Sequence, residues 1–82
     1  MRTSIATFYI NAAMELGNII RSRRQTLRTT QQTLAEMSGV SVRMIKAIEG
    51  GYANPSMGTL EKVLNVLGLQ LMIVDKQDNT EK

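Results

Sequence analysis

Residues 31–50, QQTLAEMSGVSVRMIKAIEG, constrain the fold of this 82-residue chain more than any other segment. They predict two short helices joined by a tight turn, with the second helix opening at Ser41. Ala35 is small enough for the second helix to approach closely, and Gly39 can take the positive φ that such a turn requires. Ile45 fits the position of a β-branched core residue. The segment therefore predicts two helices that cross at a fixed angle.

The outward face of the second helix is basic. Ile45 and Ile48 lie three residues apart and pack inward, which leaves Val42, Arg43 and Lys46 facing out. A short helix presented in this way fits the major groove of B-DNA. The alternative is an ordinary helical hairpin that binds no ligand. The basic face favours the first interpretation.

The absence of two residue types excludes several kinds of chemistry. The chain has no Cys and no His, which removes disulfides, thiolate metal sites, the commonest metal ligand and the usual general base. It has no Gly-rich phosphate loop, and Glu15, Glu36, Glu49 and Glu61 are scattered without an evident common pocket. We therefore expect no enzyme activity, no cofactor and no metal.

Length and hydropathy predict one cytoplasmic domain. A chain of 82 residues suits a single small domain. Its first residues hold only a short apolar run, broken by Thr7 and Asn11, which does not match a signal peptide. No apolar segment approaches the length of about 20 residues that a membrane span needs. We expect no membrane partner.

Positive charge is concentrated in the body of the chain. Between residues 16 and 56, six basic residues stand against two acidic ones, a balance of +4, whereas residues 75–82 balance to −1. A basic body with a polar tail suits a polyanion, most commonly nucleic acid. The six basic residues are Arg21, Arg23, Arg24, Arg28, Arg43 and Lys46.

The region before the hairpin predicts an arm and one helix. Residues 1–11, MRTSIATFYIN, are rich in Thr and in apolar β-formers, which favours an extended arm. Residues 12–27 carry apolar side chains at helical spacing with arginines between them. Thr29 and Thr30 can stop this helix and cap the next, because a Thr hydroxyl accepts a hydrogen bond from a free helix amide.

Three further helices complete a domain over residues 12–68. The two helices of the hairpin are predicted at residues 31–38 and 41–49. Ser56 is a good cap for a last helix, which Gly68 stops. Beyond it we expect a short strand at residues 69–74 and a flexible polar tail at residues 75–82.

The predicted strand, LQLMIV, points to a second copy of the chain. A lone apolar strand has no partner for its amides and carbonyls. The last helix carries an apolar stripe wider than one core face needs. We therefore expect a homodimer, with two alternatives: pairing of the strand with the arm, or packing of the strand on its own helices. The predicted interface residues are Val63, Val66, Leu69, Leu71 and Ile73.

Residues 16–71 resemble a Cro/C1-type helix-turn-helix domain of the Xre family. The residues that carry the resemblance are Arg24, Thr30, Gln31, Leu34, Ala35, Gly39, Val40, Ser41, Ile45, Ile48, Glu49, Gly51, Asn54, Pro55, Ser56, Thr59, Leu60, Leu67, Gly68 and Leu69. The resemblance implies DNA binding and an all-α, lambda-repressor-like domain of four helices, whose C-terminal strand pairs across a dimer. Thr29 departs from the family, which commonly has an apolar residue there.

The short chain, the strand after the last helix and the polar tail resemble the HipB-like antitoxins within that family. Antitoxins of this kind repress their own operon as dimers and bind a toxin, in the HipB case a HipA-like kinase. The implied partners are therefore a double-stranded operator with an inverted repeat, a second copy and a toxin. The alternatives are a small phage-type repressor and a protein-interaction module without a toxin.

Candidate DNA contacts lie at two helix starts and in one loop. Thr30 and Gln31 begin the second helix, where free amides and the dipole suit a phosphate. The planar fork of Arg43 matches O6 and N7 of guanine, and Lys46 can reach either a base or a phosphate. The full set is Thr30, Gln31, Ser41, Val42 (against a thymine methyl), Arg43, Lys46, Ala47 (for close approach), Tyr52 and Asn54.

One of these assignments has a structural alternative, and one further pair is structural. Tyr52 and Asn54 are candidates for phosphate contacts, but Tyr52 can equally pack against the elbow between the third and fourth helices. The resemblance implies that Arg24 and Glu49 form a partly buried ion pair linking the first helix to the end of the third. Such a pair is costly to break from one side because the surviving charge is stranded.

Overall fold

Residues 12–72 and residue 75 are described by a computed structural model, with side chains from Glu15 onward. This part of the chain contains four α-helices. They are α1 (Ala12–Thr26), α2 (Gln31–Ser38), α3 (Val42–Gly50) and α4 (Met57–Val66). The predicted all-α helix-turn-helix fold is confirmed. None of these helices is both long enough and apolar enough to cross a membrane.

Three helices begin at hydroxyl side chains that the sequence marks as caps. Thr30, Ser41 and Ser56 each have extended backbone and accept a hydrogen bond from the amide three residues later. These bonds measure 3.0, 3.1 and 3.0 Å. Each satisfies one of the amides that the first turn of a helix leaves without a partner.

Each helix is followed by a residue with left-handed backbone. These residues are Arg28 (φ 55°), Gly39 (75°), Gly51 (80°) and Gly68 (73°). In each case the next amide donates to the carbonyl five residues back, at 2.9–3.2 Å, which is the Schellman pattern. Arg28 is the unexpected member, because a residue with a Cβ pays about 1–2 kcal/mol in this conformation.

One hydrophobic core holds the four helices together. α1 packs on α3, and α2 packs on both α3 and α4. The largest side chains that are almost wholly buried come from all four helices and the residue after α4. They are Ile20, Leu34, Ile45, Val63 and Leu67.

Gly17 sets the distance between α1 and α3. It is buried, and a Cβ at this position would lie 2.4 Å from the carbonyl oxygen of Ile48 and 2.8 Å from that of Glu49. Both neighbours are backbone atoms of α3 and cannot turn aside. The close contact of α1 with the last turn of α3 therefore depends on a residue without a side chain.

The apolar stripe of α4 is used within the chain itself, which corrects part of the predicted dimer interface. Val63 has no exposed surface in the single chain, so in this conformation it has none to give to a second copy. The stripe seemed too wide because α4 is covered from two sides. α2 packs along it, and Arg23 of α1 reaches the carbonyl of Leu67 at its end. Val66 and Leu69 are half-buried against the same core.

The described part of the predicted strand has no β-structure. Residues 69–72 do not form a β-strand, and Ile73 and Val74 lie outside the described residues. The amide of Leu69 closes the end of α4, and Leu71 is 41% exposed. The arm at residues 1–11 and all of the tail except residue 75 also lie outside the described part.

Candidate nucleic-acid interface

A three-residue turn, residues 39–41, connects α2 to α3. Gly39 reverses the chain with its left-handed backbone, and its amide donates to the carbonyl of Ala35 at 2.9 Å. Val40 is buried and anchors the turn to the core, and Ser41 then caps α3. Both ends of the turn are therefore fixed, so the direction of α3 is fixed as well.

α3 has one buried face and one exposed face. Ile45, Ile48 and Glu49 are buried. Arg43, Lys46 and Gly50 are exposed and follow one another at spacings of three and four residues, so they lie in one line along the helix. We call these three residues the α3 stripe.

Two residues beside the α3 stripe are less accessible than it is. Val42 was predicted to face out, but it is half-buried and packs against the core. The reason is that the first turn of α3 lies close to the core at its connection with α2. Ala47 is also half-buried, and its small side chain projects little beyond the helix backbone.

A buried carboxylate behind the α3 stripe connects three helices. Glu49 is only 3% exposed. Arg24 of α1 donates to it through Nε at 2.7 Å and Nη2 at 3.0 Å, and Gln31 of α2 donates through Nε2 at 3.0 Å. Arg24 also donates through Nη1 to the carbonyl of Thr29 at 2.9 Å. The ion pair that the resemblance implies is thus a bidentate contact between Arg24 and Glu49 within a larger hydrogen-bond network.

The ionisation of this network follows from its contacts. Burial by itself raises the pKa of Glu49, but the hydrogen bonds from Arg24 and Gln31, with the charges of Arg24 and Arg21, hold that pKa below its ordinary value. The hydrogen bond to Glu49 raises the pKa of Arg24 against the opposing effect of its own burial. Both partners are therefore charged at neutral pH.

The other two arginines near the C-terminal end of α1 also bind within the chain. Arg21 donates through Nη2 to the carbonyl of Glu49 at 3.1 Å, and Arg23 donates through Nε to the carbonyl of Leu67 at 2.9 Å. These carbonyls lie at the ends of α3 and α4, where a positive charge is favourable. Both arginines were counted in the basic charge that predicted a nucleic-acid partner. Their contacts could not be predicted, because each contact joins residues that lie 28 or 44 positions apart.

At the start of α2, the side chains of Thr30 and Gln31 form hydrogen bonds within the chain. The Thr30 hydroxyl accepts the Thr33 amide and donates to the Thr33 hydroxyl, and the Gln31 side chain donates to Glu49. The Thr30 side chain is thus the predicted cap, and the Gln31 side chain already has a partner within the chain. What remains for an anion here is the first backbone amides of α2, which have no partner within the helix.

The loop at residues 51–56 places Tyr52 beside α3 and leaves Asn54 exposed. Tyr52 is 76% exposed, and its ring lies against Gly50, where a Cβ would come within 2.4 Å of the ring atom Cε2. Sequence reasoning did not single out Gly50. The signal available was the pair Gly50-Gly51, of which only Gly51 is needed to end the helix.

Comparison with known proteins agrees with this geometry. The family model described as helix-turn-helix, HTH_3, matches residues 20–73, which is more than half of the chain. The chain belongs to the Cro/C1-type helix-turn-helix family. In a helix-turn-helix protein the second helix of the motif enters the major groove, and α3 is the second helix of the motif in this chain.

Three relatives of this helix-turn-helix chain have related names. An uncharacterised HTH-type transcriptional regulator of Haemophilus influenzae is 47% identical over 64 residues, 78% of this chain and 65% of that protein. The immunity repressor protein of Bacillus phage phi105 is 36% identical over 61 residues, 74% and 42% of the two chains. An uncharacterised HTH-type transcriptional regulator of Mycobacterium tuberculosis is 31% identical over 67 residues, 82% and 48%. The chain thus spans less than two thirds of the length of these relatives.

Proposed function

We propose that this helix-turn-helix protein is a sequence-specific transcriptional repressor that binds double-stranded DNA as a homodimer. The observation that carries the proposal is the α3 stripe, which presents Arg43 and Lys46 to solvent on a helix whose opposite face is held by the core and by Glu49. A rigidly supported helix with exposed donors can hold them in register with base edges and phosphates.

Repression by a dimer is supported by the relatives and by the size of the site. One of the relatives is named an immunity repressor, and two are named transcriptional regulators. One recognition helix reads few base pairs, so a two-fold pair on an inverted repeat is the usual way to obtain a specific site. Val66, Leu69 and Leu71 retain exposed surface for a second copy, unlike Val63. Such a repressor would act in the cytoplasm, where bacterial DNA lies.

The biological setting has two candidates. The resemblance to HipB-like antitoxins is the support for a toxin partner such as a HipA-like kinase. The similarity to the immunity repressor of a Bacillus phage instead favours a phage-type repressor. Affinity capture from the native host separates them, since an antitoxin co-purifies with a toxin encoded beside its own gene, and a phage-type repressor does not. A protein-interaction module would retain a protein partner but select no DNA sequence.

The test of the proposed function is selection from a random pool of duplexes by the folded protein. We expect an inverted repeat with half-sites about 10–10.5 base pairs apart, or a multiple of that distance. Affinity for the selected duplex should fall steeply as salt rises, because phosphate contacts release counterions. Sedimentation with and without the duplex measures whether two copies bind. A folded preparation that enriches no sequence at low ionic strength overturns the proposal.

A further inference from the structure

At the last turn of α3, the Tyr52 ring lies beside Gly50, which has no side chain. Gly50 continues the α3 stripe, four residues after Lys46 and seven after Arg43. A Cβ on Gly50 would lie 2.4 Å from Cε2 and 2.8 Å from Cδ2 of Tyr52. The ring therefore occupies the space that a side chain at position 50 would fill. Tyr52 extends the α3 stripe from the loop.

The backbone that carries this ring is anchored to α3. The amide of Tyr52 donates to the carbonyl of Ala47 and the amide of Gly51 to that of Ile48, both at 3.1 Å. The Cα of Tyr52 is therefore fixed against the end of the helix. Tyr52 is nevertheless 76% exposed, so it contributes little to the core and has most of its surface available to a partner.

We propose that Gly50 is a positioning residue that seats the Tyr52 ring in the α3 stripe, and that the Tyr52 hydroxyl binds a backbone phosphate of the DNA. This inference rests on the proposed function. In helix-turn-helix proteins the N-terminal residues of the recognition helix contact base edges. The opposite end, where Gly50 lies, is then closer to the sugar-phosphate backbone. A hydroxyl that donates to a phosphate fixes the register of the helix on the duplex without reading sequence.

The first test is Tyr52→Phe, which removes only the hydroxyl. The probes are a duplex that the wild-type protein selects and a duplex of unrelated sequence. We expect affinity to fall about ten- to a hundredfold on both, the effect of one hydrogen bond to a charged acceptor. The slope of affinity against salt should stay unchanged, because Tyr carries no charge to exchange for a counterion. Unchanged affinity overturns the inference, and so does a loss confined to the selected duplex, which would assign the hydroxyl to a base.

The second test compares Gly50→Ala with Gly58→Ala. Both replace a helical glycine, but a Cβ on Gly58 would meet nothing closer than the Ser56 hydroxyl at 4.0 Å. We expect Gly50→Ala to displace the exposed ring and to weaken binding at least as much as Tyr52→Phe does, whereas Gly58→Ala binds as the wild type. Urea unfolding of both variants establishes that they are folded.

A double mutant distinguishes positioning from an independent effect. If Gly50 acts through Tyr52, then Gly50→Ala has no further effect on affinity once Tyr52→Ala is present. Additive losses contradict the inference. If the wild-type protein selects no sequence, the proposed function itself fails. If it selects one and the Tyr52 and Gly50 variants all bind it normally, the inference alone fails.

Discussion

The cations of α1 and of α3 carry the same charge but differ in what they contact. Arg21, Arg23 and Arg24 donate hydrogen bonds to Glu49 or to carbonyl groups at helix ends. Arg43 and Lys46 extend from α3 into solvent. A count of basic residues therefore does not locate a binding surface, because Arg21, Arg23 and Arg24 already donate to groups within the chain.

The two groups nevertheless depend on each other. Glu49 lies on the buried face of α3, opposite the α3 stripe, and Arg24 and Gln31 tie it to α1 and α2. Arg24 and Gln31 thereby help to determine how α3 is oriented, and α3 determines where its exposed cations point. Substitutions of Arg24, Gln31 or Glu49 should therefore change stability, and substitutions of Arg43 or Lys46 should change DNA binding.

The largest effect is expected for Glu49→Ala. It strands the Arg24 guanidinium and the Gln31 amide, and breaking a buried pair from one side costs about 3–5 kcal/mol. The free energy of unfolding, measured in urea, should fall by that amount. Glu36→Ala is the control, since Glu36 is exposed and its contact is a 3.3 Å bond from Gln32, so we expect a change below about 0.5 kcal/mol. An unchanged melting temperature for Glu49→Ala contradicts the structural role of the pair.

Arg43→Ala should leave stability unchanged and reduce sequence preference. Loss of a guanidinium that reads guanine costs about 1–3 kcal/mol of discrimination at one base pair of each half-site. Competition between the selected duplex and its single-base variants measures this preference. Lys62→Ala is the matched control, because it removes one exposed positive charge from α4 instead of α3. Equal losses for both variants would mean that Arg43 contributes only charge.

Acid should weaken the network of Glu49, Arg24 and Gln31. The folded protein holds the pKa of Glu49 below the ordinary value of 4.5. The pair therefore contributes its full stability above pH 4.5, and this contribution is lost as the pH falls through the lowered pKa of the folded state. The difference in unfolding free energy between wild type and Glu49→Gln should shrink as the pH falls below 4.5. A difference independent of pH contradicts this prediction.

The smallest effect is expected for Lys46→Ala. If Lys46 contacts a phosphate, its loss weakens binding equally on all sequences and lowers the salt slope by about 1. Titrations of the selected duplex at several salt concentrations measure that slope. A lowered preference for one base pair with an unchanged slope would instead assign Lys46 to a base. Lys62→Ala again serves as the control for general charge.

Local signals predicted most of the helix boundaries. Thr30, Ser41 and Ser56 cap the helices that follow them, and Gly39 and Gly51 end the helices of the hairpin. These signals work because a cap satisfies free amides or carbonyls within a few residues of chain. The end of α1 was less evident, since Arg28 takes the left-handed position that a glycine usually marks.

Signals that depend on distant residues were missed or misassigned. The sequence did not indicate that Gln31 donates to Glu49, 18 residues away. Val63 was assigned to a dimer interface, but the chain buries it in its own core. Nothing in the sequence around Gly17 shows that it faces the backbone of α3. Each outcome was decided by a neighbour from another helix.

Spacing and cap chemistry were enough to predict the helices of the described residues, their caps and the basic outward face of α3, because both act within one or two helical turns. Packing, in contrast, selected which arginines donate to groups within the protein. It also seated Tyr52 on Gly50 and joined α1, α2 and α3 through Glu49. The physical reason is that a hydrogen bond or a buried surface depends on two partners, and packing brings the second partner from elsewhere in the chain.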